Sequence, residues 1–252
     1  MPSRAPRSLR LDKLVVERGL AASREKAQAL ILAGQIQVDG RVATKAGAAV
    51  KLDARLELVG EPPRYASRGG LKLEAALADL GVDPAGAVCL DIGASTGGFT
   101  DCLLQHGAAR VYAVDVGRGQ LDWKLRQDPR VIVREGLNAR YLKPADLGEP
   151  VDWVTVDVAF ISVEKILPAA IACAKPGAVF LVLIKPQFEL SRRQVGKGGI
   201  VRDPALHREA VEKVSRAAAA LGLEEIEIRE SRLPGAEGNR EFFLRAGLGR
   251  SV

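Results

Sequence analysis

Apolar residues at the start of the chain follow first a helical and then a strand spacing. The first helix ends at Gly19, Ser23 can cap the second, and Asp39-Gly40 forms a turn between two strands. The predicted elements span residues 11–18, 23–34, 36–38, 41–42 and 56–59. The pattern predicts a small α+β domain over residues 1–61. Consecutive prolines then interrupt both spacings, which predicts a linker over residues 62–67.

Helical and strand patterns alternate over the rest of the chain, residues 68–252. Predicted helices lie near 71–80, 163–174 and 205–220, and predicted strands near 87–92, 110–115, 131–134, 151–157 and 178–184. This alternation is typical of an α/β domain with a parallel sheet. Residues 223–230 and 240–245 both have strand character, with no helix between them. We therefore predict that the last strand is antiparallel to its neighbours.

The positive charge of the chain is concentrated near its start. The 252 residues carry a formal charge of +6; residues 1–68 hold 13 lysines and arginines against 7 acidic residues, whereas residues 69–252 hold 24 of each. This asymmetry favours a polyanionic partner, and nucleic acid rather than a membrane because no long apolar run is present. The candidate RNA contacts in this region are Arg18, Arg24, Lys26, Arg41 and Lys45. An ordinary solvated basic surface is the alternative.

The cysteines and histidines indicate neither disulfides nor a metal site. Cys89, Cys102 and Cys173 share no paired spacing, and only two histidines are present. Residues 1–10 are basic and lack the apolar stretch of a secretion signal. We expect a cytoplasmic protein, a monomer or weak homodimer, that uses no metal.

A glycine-rich turn between a predicted strand and helix, residues 91–97, is the clearest candidate ligand site. Its acidic first residue would repel a pyrophosphate, and the G-x-G-x-x-G spacing of dinucleotide sites is absent. S-adenosylmethionine has a cationic centre and no phosphate, so it is favoured over a dinucleotide or a purely structural turn. A carboxylate after the next strand can take ribose hydroxyls, and an asparagine after the third can contact adenine or simply stabilise a loop. The candidate cofactor-binding residues are Asp91, Gly93, Ala94, Ser95, Thr96, Gly97, Asp115 and Asn138.

Several motifs, in order along nearly the whole chain, carry a family resemblance. Residues 11–15, 23–27 and 38–40 resemble the RNA-binding module named after a small-subunit ribosomal protein. Further motifs lie at residues 67–73, 91–100, 157–162 and 184–189. With them the chain resembles the TlyA family of haemolysin-named, S-adenosylmethionine-dependent ribosomal RNA 2′-O-methyltransferases. The resemblance implies a Rossmann-like class I methyltransferase sheet, a ribosomal RNA substrate within ribosomal subunits, and cytidine as the target.

The same resemblance implies a catalytic set of two lysines and two acids, at Lys72, Asp157, Lys185 and Glu241. A ribose hydroxyl needs a positioned base, and a desolvated lysine, or one beside another cation, can lose part of its charge and take the proton. Lys185 is the predicted base, Asp157 can orient it and face the sulfonium, and Glu241 can hold Lys72 or the ribose.

The segment after the predicted base, residues 191–202, is basic and rich in glycine. Arg192, Arg193 and Lys197 are its candidate RNA contacts, and a solvated loop without a partner is the alternative. Three other functions stay open: a non-catalytic RNA-binding ribosome assembly factor, a pseudouridine synthase, and a small-molecule methyltransferase. The acidic turn argues against the pseudouridine synthase.

Overall fold

The chain divides into two compact units, residues 1–62 and 63–252. The structure is a computed structural model, and it describes residues 8–21, 23–32, 34–60, 63–196, 198–235 and 238–249. Each unit has its own hydrophobic core.

The first unit is a small α+β domain. Its elements are β1 (Ser8–Arg10), α1 (Leu11–Glu17), α2 (Arg24–Leu32), β2 (Ile36–Val38), β3 (Arg41–Val42), β4 (Ala49–Lys51) and β5 (Leu56–Leu58). Its core contains Leu11, Leu14, Ala27 and Ile31, which face inward from the two helices, and Ile36 of β2. The helical spacing of these residues is what buries one face of each helix.

The second unit is built around a seven-stranded sheet. Its strands are β6 (Val88–Ile92), β7 (Arg110–Asp115), β8 (Val131–Glu135), β9 (Val151–Val156), β10 (Ala174–Ile184), β11 (Leu223–Glu230) and β12 (Phe242–Leu248). They lie in the order β11, β12, β10, β9, β6, β7, β8. Strand β12 is antiparallel to both neighbours, whereas β6 to β10 pair in parallel. The predicted α/β fold with an antiparallel last strand is confirmed.

Helices cover both faces of this sheet. They are α3 (Arg68–Leu80), α4 (Gly98–Gln105), α5 (Trp123–Gln127), α6 (Pro144–Leu147), α7 (Leu167–Ala172), α8 (Pro186–Glu189) and α9 (Pro204–Ala220). Leu73 of α3 and Leu103 of α4 pack into one apolar cluster, and Leu167 of α7 and Val214 of α9 pack into the other. Successive residues of β10 alternate between the two clusters, as a strand covered on both faces requires.

Some elements differ from the sequence prediction. Strands β1 and β4, which pair with each other, were not predicted, because in three residues neither shows an alternating pattern. The predicted helix 163–174 is a 3₁₀ turn, Val163–Lys165, followed by α7, which Pro168 helps to start. Strand β10 begins at Ala174, earlier than expected, and has an irregularity in its pairing before Val179. Within the predicted linker, Tyr65 is buried in the second unit.

Candidate active site

The register of the central sheet brings three of the predicted catalytic residues to one edge. Strands β9 and β10 are parallel neighbours, and β12 is the antiparallel neighbour of β10, with Phe242 opposite Ile184. Asp157 and Lys185 directly follow β9 and β10, and Glu241 directly precedes β12. Three consecutive strands therefore place a carboxylate, an amine and a second carboxylate side by side.

The four predicted catalytic side chains form two ion pairs. Lys185 Nζ pairs with Asp157 Oδ1, and Lys72 Nζ, from α3, lies 2.6 Å from Glu241 Oε2. Glu241 is almost fully buried, at 2% exposure of its side chain, and Lys72 is at 12%. Low exposure strengthens each electrostatic interaction and makes an unpaired charge costly.

The glycine-rich turn between β6 and α4 needs glycine for two physical reasons. Gly93 and Gly97 have φ angles of 87° and 97°, in the left-handed region that side chains disfavour. A Cβ at Gly93 would overlap the backbone carbonyl of Asp157, and one at Gly97 would overlap the side chain of Leu125. The donated hydrogen bond from Asp157 N to Ile92 O, at 2.9 Å, fixes the same close approach.

Two cavities, of about 260 and about 330 Å³, adjoin at this edge. Gly93, Ser95 and Asp157 line both of them. Lys72 lines the first, and Asp115 lines the second. Lys185 and Glu241 line neither cavity; each is paired with a residue that does, Asp157 and Lys72 respectively.

Asp115 and Asn138 have structural partners in addition to lining the second cavity. The carboxylate of Asp115 accepts hydrogen bonds from Ser95 N at 2.8 Å and Gly117 N at 2.7 Å. Asn138 Oδ1 accepts from Arg140 N at 3.1 Å and so caps a 3₁₀ turn. Asn138 therefore stabilises its loop, and it also lines the second cavity.

Asp91 lies below the turn, whereas the sequence argument assigned it a place facing the ligand. It is fully buried, and its carboxylate accepts hydrogen bonds from Thr100 Oγ1 at 2.6 Å and Thr155 Oγ1 at 3.0 Å. Burial raises the pKa of this carboxyl to about 6, although the two threonines oppose the shift. Asp91 ties β6, α4 and β9 together beneath the cavity.

This raised pKa predicts a pH dependence of stability. Between its ordinary pKa and about 6, the folded protein holds a proton that the unfolded chain releases, so the carboxyl contributes less stability as the pH rises. From pH 4 to pH 7, the free energy of unfolding of Asp91→Asn should rise by roughly 2 kcal/mol relative to that of the parent protein. Urea unfolding followed by tryptophan fluorescence measures it, because both tryptophans lie in the second unit. A difference that stays constant with pH would contradict the assignment.

Comparison with known proteins identifies the family. Residues 65–248 match the family model of FtsJ-like methyltransferases, and residues 9–56 match the S4 domain. A protein of Mycobacterium tuberculosis, named 16S/23S rRNA (cytidine-2′-O)-methyltransferase TlyA, is 48% identical over 239 residues, which cover 94% of this chain and 89% of that protein. The chain belongs to the TlyA family.

Two further relatives of this TlyA-family chain carry haemolysin names. Hemolysin A of Brachyspira hyodysenteriae is 42% identical and covers 93% of the chain and 98% of that protein. A solved structure from Streptococcus thermophilus, which also bears a hemolysin name, has a TM-score of 0.77 at 42% identity, covering 98% of this chain and 90% of that one. In the part of the TlyA-family chain that the structure describes, each helix is too short or too polar to cross a bilayer.

Of the predicted RNA contacts in the first unit of the TlyA-family chain, two arginines are hydrogen-bonded within the unit and three residues are exposed. Arg24 Nε donates to the buried carboxylate of Asp12 at 2.9 Å, and the same carboxylate accepts two hydrogen bonds from Arg10. Arg18 donates to the backbone oxygen of Leu52 at 2.6 Å. The remaining predicted contacts of this unit, Lys26, Arg41 and Lys45, are exposed. Asp12 thus binds both Arg24 and Arg10, and Arg10 was not among the predicted contacts.

The basic segment after Lys185 is described except for one residue. Arg192 and Arg193 are exposed, and Lys197 lies outside the described residues. Over the described residues, no group of three or more histidines, cysteines or acids has an arrangement suited to a metal ion.

Two residues beside the site were missed by the sequence analysis. Phe160 is 92% exposed with a φ of 65°, and it lines the second cavity. Glu189 is buried, and it accepts hydrogen bonds from Ser162 and Val163. Both residues lie within motifs that carried the family resemblance. Their residue types alone indicate no role, because each role depends on a contact between segments that are far apart in sequence.

Proposed function

We propose that this protein transfers a methyl group from S-adenosylmethionine to a ribose 2′-hydroxyl, of cytidine, in ribosomal RNA. The observation that carries the proposal is the position of Asp157, which lines both cavities while it is paired with Lys185. One group therefore borders the glycine turn and the predicted base together. The name of the relative at 48% identity supports ribosomal RNA and cytidine as the substrate.

The residues at the turn fit S-adenosylmethionine. Gly93 lines both cavities and has no side chain to narrow them, and Asp115 lines the second cavity. Acidic residues after the second strand of such sheets bind ribose hydroxyls. Gly93 to Gly97, Asp115 and Asn138 would hold the cofactor, with Asp91 bracing the turn from below. When bound, the cofactor supplies an activated methyl group on a cationic sulfur.

Lys185 Nζ is the proposed acceptor of the 2′-hydroxyl proton. Its pairing with Asp157, which lines both cavities, orients the amine. A positioned amine that takes the hydroxyl proton as the methyl group arrives acts as a general base. Glu241 holds Lys72 in place at 2.6 Å.

Contacts to RNA are proposed for both units. The first unit presents arginines and lysines to phosphates, in keeping with its match to the S4 domain. In the second unit, Arg192 and Arg193 are exposed in the segment that follows Lys185 in sequence, and the exposed Phe160 offers a ring on which a nucleobase can stack. Because the proposed substrate is ribosomal, we propose that the protein acts in the cytoplasm.

The decisive experiment incubates the protein and labelled S-adenosylmethionine with separated, unmodified small and large ribosomal subunits. Label at a cytidine ribose, located by mapping resistance to alkaline cleavage, is the expected result. RNA binding without label in either subunit would overturn the proposal and favour an assembly factor. Label on a free small molecule, unchanged by deletion of residues 1–60, would favour a small-molecule methyltransferase.

A further inference from the structure

Two segments, residues 157–163 after β9 and residues 185–189 after β10, contact each other at three places. Asp157 and Lys185 pair where the segments begin. The rings of Phe160 and Phe188 then lie with their centroids 5.2 Å apart. At the far end, Glu189 of the second segment binds residues 162 and 163 of the first. The catalytic pair is therefore one end of a larger closed arrangement.

Glu189 is the polar anchor of this arrangement. Its residue exposure is 5%; Oε2 accepts from Ser162 Oγ at 2.6 Å, and Oε1 accepts from Val163 N at 2.9 Å. Lys213 Nζ, from α9, donates to the Glu189 backbone oxygen at 2.8 Å and pairs with Glu164 at 2.8 Å. A buried carboxylate with both oxygens satisfied holds its partners firmly, because each lost bond would leave a buried polar group unpaired.

The segment that Glu189 holds contains a strained residue. Phe160 has a φ of 65°, and a left-handed conformation of a non-glycine residue costs on the order of 1–3 kcal/mol. Its ring is 92% exposed, so burial of the ring does not offset this cost. Shortly after Phe160, Ser162 and Val163 donate hydrogen bonds to Glu189, and these bonds fix where the segment turns back. Strain of this kind persists only where the surroundings impose it.

We propose that Glu189 is a positioning residue for catalysis: by fixing residues 157–163 against residues 185–189, it sets Asp157 and the amine of Lys185 at their working separation. The proposal rests on the proposed methyl transfer. Glu189 has no direct contact with the reacting groups in this scheme and acts through the two segments. The catalytic pair belongs to loops just beyond the strand ends, so the sheet register alone does not set its geometry.

The test compares Glu189→Gln with the parent protein in methylation of ribosomal subunits. The amide keeps the shape of the side chain, but it loses one acceptor oxygen and turns an NH₂ group toward a donor. We expect kcat to fall about 10- to 100-fold, the loss that a small misplacement of reacting groups produces. The KM values for S-adenosylmethionine and RNA should stay within about twofold, because the binding residues are untouched.

Two companion variants separate positioning from simple loss of stability. Leu223→Ala truncates a buried residue at the opposite edge of the same sheet, and it should lower the unfolding temperature without changing kcat. Ser162→Ala removes one bond to Glu189 and should lower kcat less than Glu189→Gln does. The two changes combined should lower kcat by less than the product of their separate effects, because they break the same contact.

The outcomes are distinguishable. If the parent protein methylates and folded Glu189→Gln keeps its kcat, or loses it only in proportion to stability as Leu223→Ala does, the positioning role is wrong. If Glu189→Gln does not fold, an unchanged kcat in Ser162→Ala overturns the role instead. If the parent protein methylates neither subunit, the proposed function itself fails.

Discussion

Lys185→Ala is expected to reduce ribose methylation by about 100- to 10,000-fold, the contribution typical of a positioned general base. Among the described residues, Lys185 is the amine that pairs with Asp157, and Asp157 lines both cavities. Binding of S-adenosylmethionine, measured by calorimetry, should persist, because the glycine turn is unchanged. Single-turnover methylation of unmodified subunits measures the rate.

Two control variants sharpen this expectation. Lys185→Arg keeps a cation beside Asp157 but cannot release a proton near neutral pH, so it should be about as inactive as Lys185→Ala. Lys175→Ala removes a lysine near the start of β10, which pairs with Asp152 at 2.6 Å, and it should keep parental activity. Substantial activity in Lys185→Arg would show that only the positive charge is needed and would exclude the base role.

Glu241→Gln is expected to lower both stability and activity. The substitution leaves the ammonium of Lys72, only 12% exposed, without its charged partner. Removing one member of a buried pair costs about 3–5 kcal/mol, and the partial exposure of Lys72 and the remaining amide oxygen should reduce this to about 2 kcal/mol. Methylation should fall at least about 10-fold, because Lys72 loses the group that holds it at the first cavity. Urea unfolding and single-turnover rates measure the two effects.

The same helix supplies a control pair for this variant. Asp79 of α3 accepts a hydrogen bond from Arg232 Nε at 2.9 Å, and the arginine side chain is 65% exposed. Asp79→Asn should cost less than about 1 kcal/mol, as exposed ion pairs do, and leave activity unchanged. In a double-mutant cycle, Lys72→Met and Glu241→Gln should together destabilise the protein less than the sum of the single changes. Strict additivity would show that the pair contributes nothing as a pair.

The sheet was predictable because its strands are covered on both faces. Continuous apolar runs such as residues 179–184 are typical of buried parallel strands, and their length separates them from helices. The antiparallel last strand followed from two strand patterns without a helix between them. Once strand ends are known, sheet topology places Asp157, Lys185 and Glu241 at one edge, so the grouping of the predicted catalytic residues needed little more than the order of the strands.

What the sequence could not supply were contacts between distant segments. The burial of Asp91 depends on two threonines, Thr100 and Thr155, that approach it from α4 and β9. The anchoring role of Glu189 depends on a loop that follows a different strand. Pairing of β1 with β4 joins segments some forty residues apart with three residues each, too short to show a period.

The overlap that any side chain at residue 93 would meet has a practical consequence for engineering. The backbone of Asp157 donates a hydrogen bond to Ile92 and lies against Gly93. Substitutions at Gly93 therefore cannot enlarge the cavities for synthetic donors with larger transferable groups. Extra room has to come from residues 158–161, whose side chains line the second cavity and can be replaced. Libraries for alkyl-transfer variants should therefore begin at Val158 and Ile161.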